Sequence, residues 1–255
     1  MTPLARLVAG ALLFQVAAAG ARDTPPATRP LPDPQTFFAA IRENLARSQD
    51  AQKAFAYKER RTDLDLNPFG HVGMGDTRVV EVTPTGDGTT YTRRLIELDG
   101  KAVTTSMPTV RHAGPAARGK AIVDDVAGAL DVKIDHREAV DGRDMIVLVF
   151  TPLAGAKPNT REGKLVKNFK GHIWIDEEAR EVTRVEGIAV DDISVGLGVI
   201  GRLNEGATAT VQRQRIDGDV WLPTSIRFNG EGRELLFRKL VLDFAVDWFD
   251  YKKIL

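Results

Sequence analysis

Four histidines could carry proton transfer or hold a metal: His71, His112, His136 and His172. None belongs to an H-E-x-x-H pair or lies at another close metal-ligand spacing, so no helical zinc site is signalled. His172 and Asp176 share one strand face, which a solvated sheet face explains equally well. There is no G-x-S-x-G elbow. A Ser–His–carboxylate set assembled from distant positions stays open, with His71, His136 and His172 as its candidate bases. The acidic groups Asp124-Asp125, Asp176-Glu177-Glu178 and Asp191-Asp192 do not have calcium-loop spacing and read as turns or caps. The chain contains no cysteine, which removes thiolate nucleophiles, cysteine-ligated zinc, iron–sulfur clusters and disulfides. Gly196 to Gly201 matches G-x-G-x-x-G, but a dinucleotide site needs a strand before that pattern and a helix after it. Here Arg202 to Gly206 and then a Thr-rich strand follow, so the stretch reads as an apolar loop. Arg161 to Lys170 reads as a basic loop that could meet an anion, with plain solvation as the simpler account. The sequence thus points to no catalytic residue, no metal and no cofactor.

What remains is apolar material in loops. Asn67 to Gly75 places Phe69 and Met74 in a glycine-rich connection, and Val195 to Leu203 does the same with Leu197, Val199, Ile200 and Leu203. Glycine lets such segments change shape, and exposed apolar side chains imply a partner or a buried seat. Either the loops fold over the sheet and plug it, or they gate a lipid-type cavity.

The elements that position these residues can be read from periodicity. Asp33-Pro34 is an N-cap followed by proline at the first helical position. Phe37, Phe38, Ile41 and Leu45 follow at helical spacing, predicting one amphipathic helix to about Asp50. The period then becomes two, and strands are predicted from Lys53 to the C-terminal region. A second, weaker helix is predicted within Pro115 to Leu130. Asp99-Gly100, Asp141-Gly142 and Asp217-Gly218 mark hairpins, since a type I′ turn needs positive φ at both central residues. In the last strand Leu240, Leu242, Phe244, Val246 and Trp248 share a face opposite Asp243 and Asp247. Met145 to Phe150 is apolar at every position, so it needs cover on both faces, from helices or from a ligand.

The first segment reads as an address. One arginine, a run from Leu7 to Ala19 that is apolar apart from Gln15, and the small residues Ala19-Gly20-Ala21 read as a secretory signal peptide, residues 1–21. Residues 22–33, with Pro25, Pro26, Pro30 and Pro32, read as a flexible linker, and 34–255 as one domain. With 35 Lys+Arg against 35 Asp+Glu the net charge is zero, and cleavage removes one arginine and leaves it at −1. That balance argues against a nucleic-acid partner.

Several short motifs share an order with a known family. Gly171-His172-Ile173-Trp174-Ile175-Asp176, followed by Glu181-Val182-Thr183-Arg184-Val185-Glu186, resembles the G-x-I-W-[IV]-D … V-x-R-V-E hairpin of the LolA-like outer-membrane lipoprotein-sorting superfamily. Asp217 to Pro223 resembles its G-x-x-W-L-P hairpin, and Phe249 to Lys253 its closing strand. Tyr57 to Thr62 resembles the first strand of uncharacterised secreted members. The resemblance implies a mainly β (α+β) fold: a curved antiparallel half-barrel of about eleven strands, unclosed, with helices in its concave face. It implies a periplasmic, non-enzymatic binder or carrier of lipids or lipoprotein acyl chains, monomeric, with membrane-bound protein partners as a further expectation. The absence of cysteine excludes the lipid-anchored acceptor type. On this reading Trp174, Phe150, Phe244 and Trp248 line the cavity, with Phe69, Met74, Leu197, Val199, Ile200 and Leu203 in its gate loops. Alternation can slip by one residue and invert such a face. A periplasmic protein-binding sensor or assembly module, its cavity filled by its own helices, is the alternative.

Overall fold

The computed structural model describes residues 29–63, 76–86, 90–112, 119–195, 201–234 and 238–254. The first helix, α1 (Pro34–Gln52), starts as the cap residues dictate. The Asp33 carboxylate accepts from the Thr36 amide at 3.0 Å, and Pro34 occupies a first-turn position where no amide is needed. β1 (Phe55–Asp63), β2 (Thr77–Thr85), β3 (Thr90–Leu98), β4 (Lys101–Ala102) and β5 (Thr109–His112) follow. The weaker helix appears as α2 (Gly119–Ala127), then β6 (Leu130–Val140) and β7 (Arg143–Pro152). The stretch read as a basic loop instead begins with a short helix, α3 (Arg161–Val166). The Thr160 hydroxyl caps it, and Asp125 of α2 accepts from the amides of Asn159 and Thr160. The chain continues through β8 (Phe169–Asp176), β9 (Glu181–Ala189), β10 (Ile193–Val195), β11 (Gly201–Leu203), β12 (Thr208–Asp217), β13 (Val220–Glu234) and β14 (Arg238–Lys253).

Eleven strands run in the order β4-β3-β2-β1-β14-β13-β12-β9-β8-β7-β6. β5 pairs with β3, and β11 pairs with both β10 and β13. The strands pair antiparallel and the sheet stays open, so the fold is the mainly β half-barrel of about eleven strands, with helices on its inner face. Asp99-Gly100 and Asp141-Gly142 both have positive φ at each residue, as a type I′ turn requires. The third hairpin differs. Asp217 pairs with Val220, so the central residues are Gly218 and Asp219, and of these only Gly218 has positive φ.

Glycines shape the sheet where aromatic rings cross it. Gly171 and Gly187 face each other across β8 and β9. A Cβ on Gly171 would collide with the Glu186 carbonyl, while Gly187 lies under the rings of Phe169 and Phe150. Such glycine rows let a sheet bend sharply beneath a covering ring.

Among the described residues two apolar cores occupy the inner face. Phe37 and Ile41 of α1 pack on Ile146, Leu148, Ile175 and Val182. Farther along, Phe150, Phe169, Leu130, Ala189, Ile193, Leu203 and Ala207 form the second, with Val126 of α2 and Val166 of α3 against it. β7 is buried on both faces, as its composition requires. Ile146, Leu148 and Phe150 look toward the helices. Val147 stands on the other face, directly opposite Trp174.

Buried polar groups fix α1 in place. The Ser48 hydroxyl meets Glu181 at 3.0 Å, and Arg213 joins the same carboxylate at 3.0 Å while donating to the carbonyls of Val182 and Trp221. Asn44 donates to the carbonyls of Ala179 and Arg180. Residues preceding the helix are also held. Arg137 grips Glu177 with two bonds of 2.7 Å and donates to the carbonyls of Arg29 and Pro30 at 2.6 and 3.0 Å. The last residues of the stretch read as a linker are thus seated on the sheet.

Candidate functional site

An apolar cleft of about 500 Å³ lies between α1, α2 and the sheet. Its floor is Val132, Leu148, Ile173, Ile175 and Val182 from β6 to β9. One wall is α1 through Phe38, Ile41, Arg42, Leu45 and Gln49, and the other is α2 through Ile122, Val123, Val126 and Ala127. The helix periodicity explains the split. Phe37, Ile41, Asn44 and Ser48 recur at i, i+4, i+7 and i+11 and face the sheet. Phe38, Arg42, Leu45 and Gln49 form the adjacent stripe and face the cleft. The volume falls within the roughly 300–1,000 Å³ typical of small-molecule sites.

Few polar groups enter the lining. Asp131 is paired with Lys133 at 2.8 Å. Arg42 is exposed and, among the described residues, carries no hydrogen bond or ion pair. The Gln49 Oε1 atom is shielded from solvent and has no donor. Among the described residues the lining holds no nucleophile beside a base, and its apolar side chains offer a surface on which an apolar chain could be buried.

The four residues expected to line the cavity fall in three places. Phe150 is buried in the second core beside Leu203, which belongs to β11 rather than to a free loop. Phe244 stacks on Phe228 at 5.4 Å, which in turn packs against that core. Trp248 shares the Phe244 face and donates to Glu59 at 3.2 Å. Trp174 lies on the outer face. It donates to Glu138 at 2.5 Å, and Arg184 stacks over it at 5.0 Å. None of the four borders the cleft between α1 and α2. Phe69, Met74, Leu197, Val199 and Ile200 lie outside the described residues, as does His71. The cleft residues Ile122 and Val126 were not anticipated. Phe38 and Leu45 were visible only as helix positions, and the helical stripe that carries them was the available signal.

The ionisable motifs are structural. Asp125 secures the start of α3, Asp176 accepts from the Ala179 amide at 2.8 Å, and Asp192 accepts from the Glu205 amide. His136 lies beside Asp135 and Glu138, and its pKa is raised, chiefly by the hydrogen bond to Asp135. Burial pushes the Tyr57 hydroxyl up to about 12. Neither His136 nor His172 contacts a serine or threonine hydroxyl among the described residues, and no cluster of metal-ligating side chains occurs among them. Gly201, the end of the glycine-rich match, opens a strand rather than a helix.

No family model matches the chain, and no curated protein matches it. Solved structures with similar layout include a DUF1329 family protein from Desulfovibrio piger, 14% identical over 84% of this chain and 92% of that one, with a TM-score of 0.37. A LolA superfamily protein from Nitrosomonas europaea is 15% identical over 83% and 92%, with a TM-score of 0.35. An outer membrane lipoprotein-sorting protein domain from Vibrio parahaemolyticus is 10% identical over 84% and 91%, with a TM-score of 0.37.

Proposed function

We propose that the protein binds or carries an acyl chain, a lipid's or a lipoprotein's, in the cleft between α1 and α2. The observation that carries this reading is the cleft itself: space of small-molecule size left open after the helices are seated, with an almost wholly apolar lining. Burying a methylene there contributes about 0.8 kcal/mol. A dozen would give about ten before ordering costs, so retention needs no elaborate polar contacts. The N-terminal segment, read as an export signal cleaved near Ala21, supports a periplasmic setting for this activity. No helix among the described residues is long and apolar enough to cross a membrane. The protein acts as a binder, without chemistry on its ligand.

A protein-binding module is the second reading, and one observation favours it: Phe37 and Ile41 of α1 already fill part of the inner face. Native mass spectrometry of protein purified from its own host separates the two. A co-purifying lipid mass, displaced by added fatty acid, is the expected result. Bare protein that also fails to take up a fluorescent fatty acid would overturn the acyl-chain reading in favour of the second.

A further inference from the structure

We propose that the cleft selects a single-chain amphiphile with an anionic head, a long-chain fatty-acid anion, whose carboxylate meets Arg42. This rests on the reading of the cleft as an acyl site and adds the head that it prefers. The stripe Phe38, Arg42, Leu45 and Gln49 runs along about 16 Å of α1, at 1.5 Å per residue. Apolar lining alone draws in any tail and cannot distinguish one head from another. Charge at the rim can. Among the described residues the only other charged side chain bordering the cleft, Asp131, is neutralised by Lys133.

Arg42 therefore leaves one positive charge unbalanced at the mouth. Elsewhere on the sheet many arginines are committed to carboxylates: Arg93 to Glu59, Arg213 to Glu181 and Arg227 to Asp247. Arg42 has no such partner among the described residues. Its guanidinium presents paired donors that match a carboxylate, and its methylene stem can lie along Phe38 and Leu45 without breaking the apolar wall. A cationic head would be repelled at the same place, and a neutral one would gain nothing.

The test compares three amphiphiles of one chain length by calorimetric titration: dodecanoate, methyl dodecanoate and dodecyltrimethylammonium. The expected order of affinity is acid anion, then ester, then ammonium, with the gap narrowing as salt screens the rim. Arg42→Gln should weaken dodecanoate roughly two- to fivefold, the range of an exposed ion pair, and leave the ester unchanged. Arg42→Lys should keep the preference. Arg42 is exposed and unpartnered, so both variants keep the fold, which an unchanged melting temperature verifies. Equal binding of all three by the native protein, or equal weakening of acid and ester by Arg42→Gln, would overturn the head-group assignment and leave the acyl site standing. If none of the three binds, both readings are overturned.

Discussion

Gln49 puts a polar atom where the cleft is otherwise apolar, and its buried Oε1 has no donor. An unsatisfied buried acceptor costs about 1–3 kcal/mol. Replacement by leucine removes that cost and extends the apolar wall, so Gln49→Leu should stabilise the protein by about 1 kcal/mol. A higher urea midpoint at unchanged slope would show it, and a lower midpoint would mean that the amide has a partner in solution. On the outer face His136 gives a pH dependence. Its pKa is raised by Asp135 and Glu138. Its contribution to stability is therefore complete below the unfolded value of about 6.5 and is lost as pH rises through the raised folded value. Glu138 also holds the Trp174 indole, so Trp174 emission should shift across that same window, and His136→Gln should abolish the shift.

At the scale of elements, α1 is the piece that makes the cleft, and it is fastened at both ends. Truncating its inner anchor, Phe37→Ala, should cost about 3–5 kcal/mol, measured by denaturant unfolding. The N-terminal fastening depends on Arg137 and Glu177. The Glu177 carboxyl is held below its usual range, chiefly by the hydrogen bond to Arg137. This stabilisation is complete above the unfolded value of about 4.3 and fades as pH falls through the lowered one. Protease cleavage around residues 29–33 should consequently accelerate in acid, and Arg137→Ala should produce the same acceleration at neutral pH. Much of α1 was legible in the sequence, because cap, proline and apolar period all lie within one segment. The cleft was not, since its walls come from helices some seventy residues apart and its floor from four strands. Trp174 shows why composition misled: β7 is apolar on both faces, so it gave no reference for which face of β8 looks inward. The β7 strand could be recognised as doubly covered. That α1 covers one side and Trp174 stands on the other emerges only from the strand pairing.

For the whole molecule, equal numbers of cationic and anionic residues and the many ion pairs across the sheet leave no strong overall field. Attraction to anionic lipid surfaces should be weak. Cosedimentation with vesicles of neutral and of anionic phospholipid should differ little, and a marked preference for the anionic vesicles would overturn this expectation. The strand order has one further consequence. β14 lies between β1 and β13, so residues near 250 join a sheet half begun near residue 55 to the half built last. Until that strand arrives, β1 to β4 and β6 to β13 are two sheets with open edges, and the pairing that unites them joins Phe55 to Lys253, a contact so distant in sequence that it is a slow step in folding. A protein threaded through a translocation channel N-terminus first would stay unfinished, and hence pliable, until its final strand had passed.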